Sequence, residues 1–315
     1  MGTGPRGCTG RLLVRGCITF LLIIAVFTGA VWAVTWFLSG RVMQSANACV
    51  AQLPGGERYS LSADQSRNAA LIAAIGTERG LPARAVTIAL ATAMQESKLT
   101  NIDYGDRDSV GLFQQRPSQG WGSVEQIMDP VFSTNAFYDA LVQLDGYETM
   151  EVTVAAQAVQ RSAFPDAYAR HEPMARAFAS SLTGHSPASL ACDLREDDGG
   201  GGAPQDGTGA LAMSLATLTD FGTAPDLTPV LADDGAPLLA DGEVALAAVD
   251  PAALTGAAIG DPERAVWAAG HWLAATATES GVRVVVVGNE MWTNGTLEWT
   301  DAGELTQPNG TVLVG

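Results

Sequence analysis

One stretch of the sequence limits the possible folds more than any other: the alanine-rich run PARAVTIALATAMQE, residues 82–96. Pro82 suits the first turn of a helix, where its missing N–H costs nothing. The helix then carries Val86, Ile88 and Leu90 among small alanines before it reaches Glu96. Because alanine side chains keep it slim, we predict that this helix lies at the centre of a helical bundle.

The acid at the end of this apolar helix has two interpretations. Glu96 is a surface glutamate just past a buried helix, or it is a carboxyl group in a partly dry cleft. In a dry cleft its pKa would be raised, so that it would hold a proton near neutral pH and act as a general acid. Spacing alone does not choose between these readings.

A long uncharged segment lies near the N-terminus. Residues 16–40 carry no charge and are long enough to cross a bilayer as a helix. Arginines precede the segment and only Arg41 follows it closely, so the positive-inside rule predicts a cytoplasmic tail at residues 1–15. We therefore expect a single-pass protein of the cell membrane with its domains outside. The alternative is a cleaved signal peptide ending near Ala46-Asn47-Ala48.

Two of the four cysteines fall on the predicted outer side. Cys49 and Cys192 bracket one stretch of chain, and disulfides persist outside the cytoplasm. Two cysteines allow one intrachain pairing, so we predict a Cys49–Cys192 disulfide; the alternative is unpaired or intermolecular thiols. Neither has a CxxC or CxxH neighbour, and we predict neither a metal site nor a cofactor.

Residue composition and hydrophobic periodicity divide the rest of the chain into three segments. Residues 42–195 read as a helical domain, residues 196–209 as an acidic, glycine-rich linker, and residues 210–315 as a small α+β domain. Within the last, Asn294-Gly295 predicts a two-residue hairpin. Trp292 and Trp299 flank that turn and are either a binding face or part of the core.

The overall charge excludes one class of partner. The formal net charge is −17, whereas a nucleic-acid-binding protein shows a basic surface. The three histidines, His171, His185 and His271, have no serine or cysteine partner at a recognisable spacing, and we expect them to be structural.

Three motifs in register resemble one enzyme family. Glu96-Ser97, then Gly111-Leu112-Phe113-Gln114, then Pro117 are similar to the signature of lysozyme-like lytic transglycosylases of the soluble-lytic type. Gly111 lies 15 residues after Glu96, as in that family, and Phe113 replaces the usual methionine. The likeness covers residues 64–182. The combination of one anchor, this domain and a small C-terminal domain also resembles a group of actinobacterial single-pass membrane proteins.

The resemblance implies a mainly α, lysozyme-like fold and cleavage of MurNAc–GlcNAc β-1,4 bonds in peptidoglycan. Glu96 would be the single acid/base: it would protonate the glycosidic oxygen and then take a proton from the sugar's own 6-hydroxyl, which closes a 1,6-anhydro ring. Ser97 and Gln114 would contact the substrate or the glutamate.

The sequence departs from the family at its third motif. That motif supplies a tyrosine that positions the glutamate, and the matching region, residues 155–162, has none. Gln160 or Gln157 could replace the hydrogen bond, or Tyr104 or Tyr168 could approach from elsewhere.

The loop after the glutamate is unusually acidic. A second carboxylate there, Asp106 or Asp108, would let the enzyme activate water, which would make it a goose-type-like muramidase, a hydrolase. The alternative is a solvated loop. Trp121 follows the motif and could stack on a sugar face.

A third reading is a degenerate, non-catalytic domain that binds peptidoglycan strands or a partner. Whether the helical domain is an enzyme or a binding domain, residues 210–315 could contact other cell-envelope proteins.

Overall fold

The computed structural model describes residues 28–29, 47–162, 166–194, 227–232, 238–240, 244–255, 258–307 and 310–315. Residues 46–315 form one compact unit. The predicted tail and linker lie outside the described residues.

The helices and strands of this unit occur in separate runs along the chain, as in an α+β fold. The first part contains β1 (Ala48–Gln52), β2 (Arg58–Ser62), α1 (Ala63–Glu78), α2 (Ala83–Ser97), α3 (Val124–Met128), α4 (Pro130–Leu141), α5 (Val152–Gln160), α6 (Glu172–Leu182) and β3 (Leu190–Asp193). The second part contains β4 (Leu227–Pro229), β5 (Leu239–Ala240), β6 (Val244–Ala245), β7 (Ala247–Val249), α7 (Pro251–Thr255), α8 (Pro262–Ala275), α9 (Ala277–Ser280), β8 (Val284–Val287), β9 (Glu290–Thr293), β10 (Thr300–Asp301) and β11 (Val312–Val314).

Helix α2 lies at the centre of the helical part. Every residue from Ala85 to Met94 is buried, and α1, α4, α5 and α6 all pack against it. The position predicted for this alanine-rich helix is therefore confirmed. Helix α1 begins with the capping box that its sequence suggests, since Ser62 accepts from the backbone N–H of Gln65 and the Gln65 side chain accepts from the backbone N–H of Ser62.

A three-stranded antiparallel sheet, in the order β2-β1-β3, brings the two ends of the helical part together. Cys49 and Cys192 lie directly opposite each other in the β1–β3 register. The structure contains the predicted disulfide between them, with the two Cα atoms 3.9 Å apart. The bridge closes a loop with a sequence separation of 143 residues.

Removing this disulfide is expected to destabilise the protein strongly. A cross-link that closes so long a loop restricts the unfolded chain, and loss of a native disulfide costs about 2–5 kcal/mol. Replacement of both cysteines by alanine should lower the free energy of unfolding by about that amount in urea titrations. A double variant as stable as the oxidised wild type would show that the β1–β3 pairing alone closes the fold.

A six-stranded antiparallel sheet, in the order β10-β9-β8-β11-β7-β4, forms the second part. Its central strand β8 is a run of four valines, all buried. Val285 and Val287 face the main core, whereas Val284 and Val286 belong to a smaller cluster on the other face. Helix α8 packs on β8 and also contacts α6, α1 and β3. One continuous core therefore joins the helical part to the C-terminal part.

The predicted two-residue hairpin at Asn294-Gly295 is wrong. Strand β9 pairs with β10 through Met291 and Thr300, so residues 294–299 make a longer connection. The side chain of Asn294 instead accepts a hydrogen bond from the backbone N–H of Leu194. Residues 294–295 still make a turn, closed by the backbone N–H of Thr296 to Thr293 O at 3.1 Å, but strand pairing resumes only at Thr300.

The two tryptophans of this region are core residues. Trp292 is fully buried and donates its indole N–H to Cys192 O, 3.2 Å away. Trp299 packs against the same core and donates to Leu190 O at 2.7 Å. Both indoles thereby attach the C-terminal part to β3.

A buried histidine lies between the two parts. His271 on α8 is fully buried, and its Nδ1 lies 2.8 Å from Ser181 O on α6, so Nδ1 carries a proton that it donates. The rings of Trp267 and Trp299 lie 5.4 and 5.7 Å from its own ring. Burial lowers the pKa of His271 from 6.5 to about 4.

Acid is therefore expected to weaken the fold through His271. In the unfolded chain this group binds a proton below about pH 6.5, but in the folded protein only below about 4. Stability should fall by about 3 kcal/mol as the pH drops through that window. Urea titrations at several pH values should show a steeper loss for the wild type than for His271→Gln. Equal slopes would exclude His271 as the cause.

The observed fold class corrects the predicted one. We expected a transmembrane helix, a mainly α lysozyme-like domain and a small α+β domain, but the structure is a mixed α+β fold with sheets in both parts. Strand β1 pairs locally with β2 but also with β3, more than a hundred residues away, and no local pattern reveals that second pairing. Among the described residues, no helix is long and apolar enough to cross a membrane. The predicted span, residues 16–40, lies outside them except for Thr28 and Gly29.

Candidate active site

Glu96 lies in the last turn of the central helix α2. The helix ends because Lys98 takes the left-handed conformation, with φ of 59°, and its backbone N–H bonds Ala93 O and Met94 O. This stop holds Glu96 at the edge of the packed core, where its side chain is partly exposed. The acid therefore combines an apolar setting with access to solvent.

A tyrosine from a distant segment contacts this acid. The hydroxyl of Tyr168 donates a hydrogen bond to Glu96 Oε1 at 2.6 Å. Tyr168 precedes the short turn Ala169–His171 that leads into α6 and is fully buried. Of the four side chains proposed to replace the family's tyrosine, Tyr168 and Gln160 both hydrogen-bond the carboxyl, and the bond from Tyr168 has the larger effect on it.

Opposing effects act on the Glu96 carboxyl. Burial raises its pKa, while hydrogen bonds from Tyr168 and Gln160 and the charge of Lys98 lower it by smaller amounts. The net pKa is raised. Such a carboxyl retains its proton to higher pH than an exposed glutamate does, which is what a general acid requires.

Ser97 and Gln160 hold the glycine turn, residues 111–114, beside the acid. Ser97 Oγ lies 2.7 Å from Leu112 O and 3.1 Å from Ala93 O. Gln160, at the end of α5, donates its side-chain N–H to Phe113 O at 2.7 Å. Ser97 is buried, so its observed contacts position the turn, and they join the first two motifs in space.

The turn itself requires glycine at its first position. Gly111 has φ of 80°, and a Cβ there would lie 2.8 Å from Ile127 O. Gln114, at the far end, bonds through Nε2 to Tyr104 O at 3.3 Å and Gly111 O at 3.3 Å. These hydrogen bonds of Gln114 hold the acidic loop, residues 103–108, beside the glycine turn. Two other candidates to replace the family's tyrosine lie as follows. The ring of Tyr104 is exposed, and Gln157 donates its side-chain N–H to Ser162 O at 2.8 Å.

The two aspartates considered as second carboxylates differ in their surroundings. Asp108 accepts from Arg116 Nε at 2.9 Å and from the backbone N–H of Ser118 at 2.8 Å. Hydrogen bonds from Ser118 and Arg116 hold its pKa well below the usual range. Asp106 is exposed and lies 3.9 Å from Arg107.

The remaining residue predicted to bind substrate is Trp121. Trp121 lies in the turn before α3, partly buried, and packs against the core. In the part of the chain that the structure describes, no group of three or more histidine, cysteine, aspartate or glutamate side chains could hold a metal ion.

Sequence reasoning missed one set of neighbours of the acid. Arg170 donates from Nη2 to Gln95 Oε1 at 2.7 Å and from Nε to His171 Nε2 at 3.1 Å. These bonds attach the turn that carries Tyr168 to the end of α2. Gln95 and Arg170 are 75 residues apart, and only the folded chain brings them together.

Comparison with known proteins does not identify a family. No protein-family model matches the chain, and no curated protein is significantly similar to it. Its function is therefore argued from the residues around Glu96.

Proposed function

We propose that the protein is a peptidoglycan-cleaving enzyme, a lytic transglycosylase that uses Glu96 as its single acid/base. The observation that carries this proposal is the hydrogen bond of 2.6 Å from Tyr168 to a Glu96 carboxyl whose pKa is raised by burial. The likeness of Glu96-Ser97 and residues 111–114 to lytic transglycosylases supplies the substrate.

In the proposed reaction, protonated Glu96 first gives its proton to the glycosidic oxygen between MurNAc and GlcNAc. The C–O bond to that oxygen breaks, and positive charge develops on the MurNAc ring. The carboxylate left on Glu96 then accepts the proton of the MurNAc 6-hydroxyl, whose oxygen bonds the anomeric carbon. The 1,6-anhydro ring closes without water, and Glu96 is protonated again.

Tyr168 has two effects in this scheme. Its hydroxyl bonds one oxygen of Glu96 and thereby orients the carboxyl that exchanges the proton. It also stabilises the carboxylate formed midway, which offsets part of the effect of burial. An acid/base that serves in both steps needs this balance between its two protonation states.

The environment of the aspartates favours transglycosylation over hydrolysis. A hydrolase needs a second carboxylate to deprotonate water. Asp108 is a weak base because its pKa is lowered by Ser118 and Arg116. Asp106 is exposed to solvent and lies 3.9 Å from the Arg107 guanidinium.

The disulfide supports a location outside the cytoplasm. Cys49 and Cys192 are bridged in the structure, and such bridges persist in oxidising compartments. We therefore propose that the folded unit lies on the side of the membrane where peptidoglycan is found, with peptidoglycan strands as its partner.

The test is to incubate the full chain with purified peptidoglycan and to measure both binding and release. Co-sedimentation reports binding, and soluble glycan fragments report cleavage. Release by the wild type supports the proposal. Binding without release supports the non-catalytic reading, and neither binding nor release contradicts both.

A further inference from the structure

Basic side chains gather beside the proposed catalytic acid, although the chain as a whole is strongly acidic. Its net charge is −17, and it has a single lysine, Lys98, two residues after Glu96. Arg170 and His171 reach the same end of α2 from the turn that follows Tyr168. We call Lys98, Arg170 and His171 the basic cluster.

Hydrogen bonds fix the place of Arg170 in this cluster. Its Nη2 donates to Gln95 Oε1 at 2.7 Å, and Gln95 is the neighbour of Glu96 in sequence. Its Nε donates to His171 Nε2 at 3.1 Å. These bonds use two of the five N–H groups of a guanidinium, which leaves three for a ligand.

The positive charges of the cluster are not neutralised by a neighbouring acid. Within the described part of the chain, neither Lys98 nor Arg170 has a carboxylate within 4.0 Å, and both are exposed. Six of the other eight described arginines of the helical part do have such partners, and Arg58 and Arg161 do not; the six are Arg67, Arg79, Arg84, Arg107, Arg116 and Arg176.

The electrostatic effects on neighbouring groups agree with this arrangement. The pKa of His171 is lowered to about 4, first by burial and then by the positive charges of Lys98 and Arg170. His171 is therefore neutral at physiological pH and accepts from Arg170. The charge of Lys98 also reaches Glu96, so the positive field covers the site itself.

We propose that the basic cluster binds a carboxylate carried by the glycan substrate, next to the bond that Glu96 cleaves. This inference rests on the proposed function and adds to it a preference for anionic strands. A guanidinium held by Gln95 and His171 presents its remaining N–H groups to a carboxylate oxygen. Two sources carry that chemistry: the lactyl group of peptide-free MurNAc and the carboxylates of a stem peptide.

Binding, not turnover, tests the inference. The full chain with Glu96→Gln is titrated with peptide-free glycan fragments that have free lactyl carboxylates, and with the same fragments after conversion of the carboxylates to amides. We expect the amidated fragments to bind about fivefold more weakly, the effect of one exposed ion pair. At about 1 M salt, where the screening length is about 3 Å, the two affinities should converge.

Substitution of single basic residues tests which side chains of the basic cluster bind the carboxylate. Arg170→Gln and Lys98→Gln, each combined with Glu96→Gln, should each weaken binding of the free carboxylate about twofold, because the two cations share the fivefold effect, and should leave the amidated fragments unaffected. Arg283→Gln is the matched control, because Arg283 is an exposed arginine at the start of β8 in the C-terminal part. It should change neither affinity.

A third probe separates the two sources. Peptide-bearing fragments have their lactyl group in an amide bond, so tight binding that Arg170→Gln weakens would assign the peptide carboxylate as the ligand. Equal affinity for the free, amidated and peptide-bearing fragments would overturn the inference, as would binding to none of them. If Arg170→Gln weakened all fragments alike, Arg170 would only attach the Tyr168 turn to α2. Cleavage by the wild type is measured separately, so this inference can fail while the proposed function stands.

Discussion

Replacement of Glu96 by glutamine is expected to reduce the rate of glycan cleavage by about 1,000-fold. The amide keeps the size of the side chain and can still accept the hydrogen bond from Tyr168, but it cannot give a proton to the glycosidic oxygen. Release of soluble fragments from peptidoglycan measures the loss. Glu148→Gln removes the same charge from an exposed turn and is the control.

The same substitution should stabilise the protein at alkaline pH. The folded-state pKa of Glu96 is raised by burial, so above pH 4.5 the folded chain holds this proton more tightly than the unfolded chain does. The contribution of Glu96 to stability is thus present at low pH and lost as the pH rises through the folded-state pKa. Thermal melts at pH 8 should favour Glu96→Gln, and the gain should shrink towards pH 4. A variant that is inactive and also less stable at pH 8 would point to disrupted packing and not to lost chemistry.

Loss of the Tyr168 hydroxyl has the second largest expected effect. Tyr168→Phe should lower kcat by about 10- to 100-fold, because the carboxyl loses the bond that orients it. The hydroxyl also stabilises the charged form of Glu96, so its removal should raise the pKa of Glu96 further. Since the acid must be protonated at the start of the reaction, the alkaline limb of the pH–rate profile should move to higher pH.

Tyr138→Phe is the matched control for this prediction. Tyr138 is equally buried, and its hydroxyl donates to Ile72 O at 2.9 Å, away from Glu96. Its loss should reduce stability without moving the pH profile. If Tyr168→Phe lowers stability but leaves kcat and the alkaline limb unchanged, its bond to Glu96 is structural only.

The sequence was informative where one local pattern decided the outcome. The alanine-rich run predicted a central helix, because small alanine side chains let other helices pack closely around it. Ser62 and Gln65, three residues apart, form a capping box at the start of α1, a pattern that lies within one turn of sequence. The Cys49–Cys192 bridge followed from the count of cysteines on the predicted outer side.

Long-range pairing could not be predicted in the same way. Strands β1 and β3 are short, and they pair with each other across a sequence separation of 143 residues at Cys49 and Cys192. Tyr168 was one of several side chains that could have reached Glu96, 72 residues away. Its selection depends on how α6 packs beside α2, which no spacing in the sequence encodes. Trp292 and Trp299 could be read as a surface or as core, and their bonds to β3 carbonyls resolved that choice.

The most direct test of the central claim is mass spectrometry of the glycan products formed in water labelled with heavy oxygen. The full chain digests purified peptidoglycan, with Glu96→Gln in parallel. Transglycosylation by Glu96 predicts 1,6-anhydro ends that contain no heavy oxygen, from the wild type only. Reducing ends that carry one heavy oxygen would contradict the account, since they would show that water is the nucleophile and that a second base assists Glu96.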